Sequence, residues 1–502
     1  MRKPLASIIL SILILSIFCP AASAQIKNFN SEGKQVTRFS TLGDAVDAHD
    51  GEIAYFDGTY YLYGTSYDCG FQWGNKTAPF CGFKSYSSKD MVNWTDRGPL
   101  FDATTPIWQS RCDGKTYGCF RPHVIFNKKT KLYVLWINVY DNVVGYRVFT
   151  SKTPVGPFSE VAEPHLVVNS DMPAAGLNNG DHDTFIDDDG TAYLAYTDWR
   201  TKGTIVIEKL SADYLTGTGE VVKGVTEGET EAPGLFKRKG IYYVVYSDPN
   251  CGYCSGTGTS YRTAKSPLGP WSKPTKISDN SCGGQPSFVS TLKVNNETIY
   301  LYGSDLWNNA AKNEALANFY WAPLTFTIEG AINPLQCAVE YTMPRAAPDS
   351  KTKPSANDDW LLKCDIGGQV QRSQIFKPLR STLLGNLSVT IFQNNKPNAP
   401  LVIEIYKAGA NHLAMGKGLA SKSIPVEEIG WSARNIFIAP NIRIAKGQEY
   451  VIVLKSATTA GCYGFAYNEA KTVSVSAALS TDGGKTFVPE EGRKLKFEIL
   501  IK

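Results

Sequence analysis

Five stretches of the chain share one pattern: an alternating apolar strand, a short polar turn, then an aromatic-rich strand. They are GEIAYFDGTYYLYGTSY from Gly51, VIFNKKTKLYVLWINVY from Val124, TFIDDDGTAYLAYTDW from Thr184, GLFKRKGIYYVVYSDP from Gly234 and SFVSTLKVNNETIYLYGSDLW from Ser287. The alternation, interrupted by Gly, Asp, Asn or Lys, predicts a β-hairpin in each. A second strand pair follows four of them, beginning at Phe83, Tyr146, Ile205 and Tyr261, and FYWAPLTFTIEGAINP from Phe319 follows the fifth. Five units of about 50–70 residues, each able to form a four-stranded sheet, predict a radial array. A five-bladed β-propeller explains the pattern best. A pair of β-sandwiches would not require each inner hairpin to be followed by a strand pair ending in a Trp- or Pro-containing turn.

The propeller is predicted over residues 25–345. Residues 344–359 read PRAAPDSKTKPSANDD, and a linker is placed at 346–359. Residues 360–502 contain LLGNLSVTIF, APLVIEIYKAG, ARNIFIAPNIRI and QEYVIVLKSA, all strand-like, with no long helical period. An all-β chain follows, ending in an accessory β-sandwich that either binds sugar or braces the propeller.

The opening MRKPLASIILSILILSIFCPAASAQ sets two basic residues before an apolar run and reaches an A-x-A signal at Ala22-Ser23-Ala24. A secretory signal peptide over residues 1–24 is the expectation, with an extracellular or periplasmic destination. No later stretch is long and apolar enough to span a bilayer. Of 11 cysteines, one lies in the predicted signal peptide. The remaining even number reads as disulfides. Cys69 with Cys81 and Cys112 with Cys119 would close short loops. Cys251-Gly-Tyr-Cys254 has the spacing of a redox or zinc half-site, but no second such pair accompanies it, so a disulfide within the pair or two separate ones is favoured. A net charge of +4 gives no reason to expect nucleic acid or a membrane as partner. The 10 Trp and 26 Tyr are ample for stacking on sugars. A monomer is expected.

Propellers bind ligands where the innermost strands converge, so the starts of the five hairpins are the places to look for chemistry. They read DAHDGEI with Asp50, CFRPHVIF with Arg121, NNGDHDTF with Asp181, GETEAPGLF with Glu231 and CGGQPSF with Gln285. Three carboxylates converging on one axis would repel one another, which a site can use to keep one of them protonated. Asp187-Asp188-Asp189-Gly190, at the far end of its strand, reads as a hairpin turn rather than a metal site.

In this order, the AHDG stretch, DHDTFIDDDGTAYL and EAPGLF resemble glycoside hydrolase family 43 over about residues 45–340. The resemblance implies a five-bladed propeller and hydrolysis with inversion. It makes Glu231 the general acid, Asp181 the group that raises its pKa and orients it, and Asp50 the general base. Inversion needs the acid and base about 6.5–9.5 Å apart with water beside the base. Asp183 is expected to point off the axis. Within the family the chain is most similar to the exo-β-1,3-galactanase branch, through AHDGEI, RPHVIFNKKTKLYVLW and EAPGLF. In that branch a glutamine at the Gln285 position acts as an unusual base, through its imidic acid form. Both bases stay open. Two departures stand out: Asp50 replaces a usual Gly, and Phe120 replaces a substrate-binding Glu ahead of Arg121-Pro122.

The implied activity is removal of terminal galactose from the β-1,3-galactan of arabinogalactan. The alternatives are an α-L-arabinofuranosidase or β-xylosidase on plant cell-wall polysaccharide, and a carbohydrate-binding propeller without turnover. Trp108, Trp199 and Trp307 are candidates for stacking on sugar. His49 and Arg121 are candidates for substrate contact. No cofactor is required. Parts of the family carry an axial metal, so a structural calcium is compatible, but no metal-ligand spacing demands one.

Overall fold

The computed structural model describes residues 23–73, 78–113, 118–140, 145–161, 163–167, 179–251, 254–307, 313–344, 359–469 and 477–501. The expected signal peptide, apart from its last two residues, lies outside them, as does the expected linker except Asp359. The described chain is nearly all-β.

Each predicted hairpin forms and opens a sheet. The inner strands are His49–Phe56, Cys119–Asn127, Asn179–Ile186, Glu231–Arg238 and Gln285–Val294. In the first four sheets three further antiparallel strands follow in sequence order. The inner strands contact one another in cyclic order, and the fifth returns to the first. An apolar cluster fills each gap between neighbouring sheets. Ile53, Leu62 and Trp94 meet Phe288, Leu292 and Trp321 where the ring closes. Val134 and Trp136 meet Leu194 and Tyr196 between the second and third sheets. Period-two alternation explains this arrangement, since each strand sends one set of side chains to each neighbouring sheet. At Gly234 a Cβ would lie 2.8 Å from Val289 N, so glycine lets the fourth and fifth inner strands approach.

The fifth sheet differs from expectation. Among the described residues it has three strands, not four. Ser23–Lys27 instead pairs with Glu340–Pro344 as a separate ribbon. The side chain of Asn28, next to that ribbon, bonds the outer strand of the fifth sheet. It donates to Trp321 O at 3.0 Å and accepts from Trp321 N at 3.1 Å.

Residues 361–501 form two sheets that share one core. Leu384, Leu387, Val389 and Ile391 of one sheet meet Ile403, Ile405, Ile452 and Leu454 of the other. Disulfides join Cys69–Cys81, Cys112–Cys119, Cys251–Cys254, Cys282–Cys337 and Cys364–Cys462. The two short loops and the Cys251–Cys254 pair agree with the expectation from spacing. The last two pairings join cysteines 55 and 98 residues apart, which spacing alone does not reveal.

Candidate active site

Every inner strand breaks register with its partner near its start, at His49/Glu52, Phe120/His123, Asn179/His182, Glu231/Gly234 and Pro286/Phe288. A bulge inserts a residue and re-aims its neighbours. Asp50, Arg121 and Ala232 take φ of +55°, +57° and +55° there. That left-handed region favours glycine, so Asp50 holds a conformation in which a Gly would be at ease.

The five irregular starts surround a cavity of about 500 Å³, whose walls include Asp50, Arg121, Asp181, Glu231 and Gln285. Arg121 is the central cation. Its Nη2 donates to Asp181 Oδ2 at 2.5 Å and to Gln285 Oε1 at 3.3 Å. Its Nη1 reaches the Pro286 and Ser287 carbonyls, each at 3.3 Å. Its backbone N–H donates to Asp50 Oδ1 at 3.3 Å.

Glu231 is only 8% exposed. Trp199 Nε1 lies 3.2 Å from its Oε1, and Asn250 Nδ2 and Gln285 Nε2 donate to Oε2 at 2.8 and 3.2 Å. Burial holds its carboxyl well above the usual range, the Asp181 charge adds to this, and Arg121 opposes it. The Tyr140 hydroxyl lies 3.3 Å from Glu231 Oε1 and 3.4 Å from Asp181 Oδ1. Its single proton can serve only one of the two, and a protonated Glu231 leaves it to Asp181.

Asp50 accepts from Thr65 Oγ1 at 2.7 Å and from the Tyr67 hydroxyl at 3.0 Å. Burial pushes its carboxyl up to about 7, against the pull of Arg121. Gln285 uses both ends of its amide. Nε2 donates to Glu231 and, at 2.9 Å, to Asn250 Oδ1. Oε1 accepts from Arg121 and, at 3.2 Å, from Trp307 Nε1. Because Arg121 and Trp307 can only donate, this network fixes which end of the amide is the oxygen.

Of the nine residues anticipated at the site, seven line the cavity: Asp50, Arg121, Asp181, Trp199, Glu231, Gln285 and Trp307. Two do not. His49 is fully buried, stacks on Phe319 with ring centroids 5.0 Å apart, and has Nε2 3.4 Å from Asp47. The bulge that begins at His49 re-aims Asp50 into the cavity and leaves His49 in the core. Trp108 belongs to a helical turn, Trp108–Cys112, that the Cys112–Cys119 bond ties down. Its ring packs edge-on against Phe80 at 4.8 Å, in the apolar cluster under the first and second sheets.

Asp183 also departs from expectation. It lies outside the cavity but does not turn away from the ring's centre. Its carboxylate faces His123 Nδ1 at 3.1 Å and accepts from Leu235 N at 2.6 Å, joining the inner strands of the second, third and fourth sheets. Glu52, which accepts from Val124 N at 2.5 Å, brings in the first. Glu52, His123 and Asp183 each offer a ligand atom within 4.8 Å of one another. For calcium, which takes six to eight oxygens, this set alone is incomplete, and waters would have to supply the rest. It supplies two carboxylates and an imidazole, and each carboxylate already binds a backbone amide.

Tyr67, Tyr140 and Asn250 also line the cavity and were not anticipated, nor were Trp73 and Phe120 as wall residues. A signal for the first three does exist. In an antiparallel hairpin the second strand ends beside the start of the first. The end-to-start partners are His49↔Thr65, Cys119↔Val139, Asn179↔Asp198, Glu231↔Ser247 and Gln285↔Asp305. Just beyond those ends stand Tyr67, Tyr140, Trp199, Asn250 and Trp307, all on the cavity.

A family model described as "Glycosyl hydrolases family 43" matches residues 44–323, more than half of the chain and all five sheets of the ring. The chain belongs to glycosyl hydrolase family 43. Among family relatives, a β-D-galactofuranosidase of Aspergillus niger is 26% identical over 302 residues, covering 56% of this chain and 83% of the relative. An arabinoxylan arabinofuranohydrolase of Bacillus subtilis is 28% identical over 304 residues, covering 54% of this chain and 58% of the relative. An exo-β-1,3-galactanase of Clostridium thermocellum has a similar structure, with a TM-score of 0.53 at 18% identity, covering 95% of this chain and 100% of that one. That of Phanerochaete chrysosporium, solved with galactose, gives 0.50 at 21% identity, covering 88% and 100%. At these identities the likeness to the two galactanases is one of fold.

Proposed function

We propose that this family 43 hydrolase is a secreted, inverting, exo-acting enzyme that removes terminal galactose from β-1,3-galactan. On this reading the five sheets are the blades of a β-propeller, and residues 360–502 are an accessory β-sandwich. The observation that carries it is Glu231: a buried carboxyl held in its acid form, sharing one cavity with a second carboxylate, Asp50, and an arginine–aspartate pair.

Glu231 protonates the departing glycosidic oxygen. Asp181, paired with Arg121 and linked to Glu231 through Tyr140, keeps the acid loaded and oriented. Asp50 holds the attacking water on the opposite face of the sugar and takes its proton. Gln285 is the weaker candidate for that role. It is in hydrogen-bond contact with Glu231, and an acid and base in contact leave no room for a sugar ring between them. Asp50 bonds instead to Thr65, Tyr67 and the Arg121 amide. Gln285 then serves to position Glu231. The reaction needs no cofactor and no metal.

The galactanase reading draws on the fold shared with solved exo-β-1,3-galactanases. The curated relatives support a second reading, an α-L-arabinofuranosidase or related furanosidase using the same acids. A carbohydrate-binding propeller without turnover would have no use for a protonated Glu231. Five disulfides favour an oxidising compartment. Among the described residues no helix is long and apolar enough to cross a membrane. The chain is taken to act as a monomer on an oligo- or polysaccharide.

Proton NMR of fresh digests of β-1,3-galactan and arabinoxylan tests this. Galactose should appear first as the α-anomer, and only from galactan. Initial β-galactose would overturn inversion, and arabinose from arabinoxylan would favour the second reading.

A further inference from the structure

The second domain touches the rest of the chain at several points, including Asn435 on Asp44 and Lys496 on Gly43, and the segment Gly430–Arg434 carries the contacts to the residues beside the cavity. Its contacts converge on Asp68, the residue after cavity-lining Tyr67. Asp68 O accepts from Trp431 N at 2.9 Å, Asp68 Oδ1 accepts from Ser432 N at 2.7 Å, and Arg434 pairs with the Asp68 carboxylate. Asp68 is 4% exposed although its arginine partner is half-exposed. The Trp431 ring sits over Gly70, where a Cβ would lie 2.7 Å from it. Trp431 itself is 8% exposed and belongs to the same apolar cluster as Tyr67, Phe71 and Phe120.

The same segment holds a second part of the ring. Asn313 Nδ2 donates to Trp431 O at 3.1 Å and to Gln393 O at 3.2 Å. The adjoining Glu314 accepts at both oxygens, each at 3.1 Å, from the backbone N–H of cavity-lining Trp73.

Tyr67 is therefore fixed from both sides. Its own N–H donates to Asp47 Oδ1 at 2.9 Å, and Asp68 after it is bound to the second domain. Its ring stacks on Phe71 with centroids 5.6 Å apart, and its hydroxyl reaches Asp50 Oδ2. A buried, hydrogen-bonded charge tolerates little displacement, because leaving it unpaired is costly.

We infer that Asp68 and Trp431 are positioning residues: through them the second domain holds the Tyr67 hydroxyl on Asp50 and so sets the proton affinity of that carboxylate. The inference rests on the reading of Asp50 as the base. It gives residues 360–502 a part in catalysis rather than a separate sugar-binding task.

The test compares pH profiles of kcat/KM and melting temperatures for the full-length wild type, Tyr67→Phe, Asp68→Asn and Trp431→Ala. A hydrogen bond to a carboxylate favours its charged form, so losing it raises the pKa. Tyr67→Phe should move the acid limb up by about 0.5–1 pH unit. Asp68→Asn and Trp431→Ala should move it in the same direction, with a lowered melting temperature. Lowered melting with the acid limb at its wild-type position would overturn the inference and leave the second domain a brace. If Tyr67→Phe itself leaves the limb unmoved, the inference falls, while the reading of Asp50 as base is decided separately by Asp50→Asn. Should Trp431→Ala not fold, Arg434→Lys keeps the charge while losing the fork geometry, and is read in the same way.

Discussion

The side-chain amide of Gln285 donates to Glu231 Oε2 at 3.2 Å, and Asn250 donates to the same oxygen at 2.8 Å. A glutamine next to the acid has a different task from one across the sugar. On the proposed mechanism it holds Glu231 in place rather than activating water.

Glu231→Gln preserves the shape but removes the proton. Turnover should fall by at least about 10³-fold, while circular dichroism and melting temperature stay near wild type. Retained turnover would remove Glu231 from the role of acid.

Asp50→Asn and Gln285→Ala separate the two candidates for the base. The Asp50 change should cost at least about 10³-fold in kcat, and the Gln285 change about 10- to 100-fold, through misplacement of Glu231. The reverse order, measured by galactose release, would return the base to the amide.

The pH profile follows from the two carboxyls. On the proposed mechanism Asp50 must be ionised and Glu231 protonated, so kcat/KM should rise through an acid limb near 7, where burial has pushed Asp50. It should fall through an alkaline limb set by Glu231, whose carboxyl is also raised. Asp181 is the charge that raises Glu231, so Asp181→Asn should move the alkaline limb to lower pH. A limb that stays put would show that Asp181 acts by position alone.

Stability should also depend on pH, and Asp183, like the raised carboxyls of Glu52, Asp50 and Glu231, contributes a fall toward alkaline pH. Burial pushes its carboxyl up to about 8, while burial holds neighbouring His123 neutral, at about 3. A raised carboxyl stabilises fully below its unfolded pKa, near 4, and the contribution is lost as pH rises through 8. The melting temperature should therefore drop by several degrees between pH 5 and pH 9, and Asp183→Asn should flatten that slope. Equal slopes in both proteins would place the titrating group elsewhere.

The five hairpins and the carboxylates at their starts were legible because both depend on local signals: period-two alternation, turn residues and position along a strand. The fifth sheet was misjudged because its outer edge is completed by the Asn28 side chain, and pairing across some 290 residues leaves no local mark. His49 and Trp108 were misplaced for a related reason. A bulge sets which way His49 and its neighbour face, and a disulfide-tied turn ahead of the second inner strand carries Trp108 into the core. Tyr67, Tyr140 and Asn250 follow from hairpin geometry once the ends of the second strands are read together with the starts of the first.

Each sheet thus delivers two groups to the cavity, and the two differ in kind. The bulged starts carry Asp50, Arg121, Asp181, Glu231 and Gln285, the groups to which the proposed mechanism assigns the proton transfers and their orientation. The facing ends carry Tyr67, Tyr140, Trp199, Asn250 and Trp307, which shape the walls and steady those groups. A substitution at a strand end changes the mould in which a sugar must sit without altering the inventory of acids. The strand ends are therefore where the shape of the cavity and the fine tuning of its acids meet, since Tyr67 touches Asp50, and Tyr140, Trp199 and Asn250 touch Glu231.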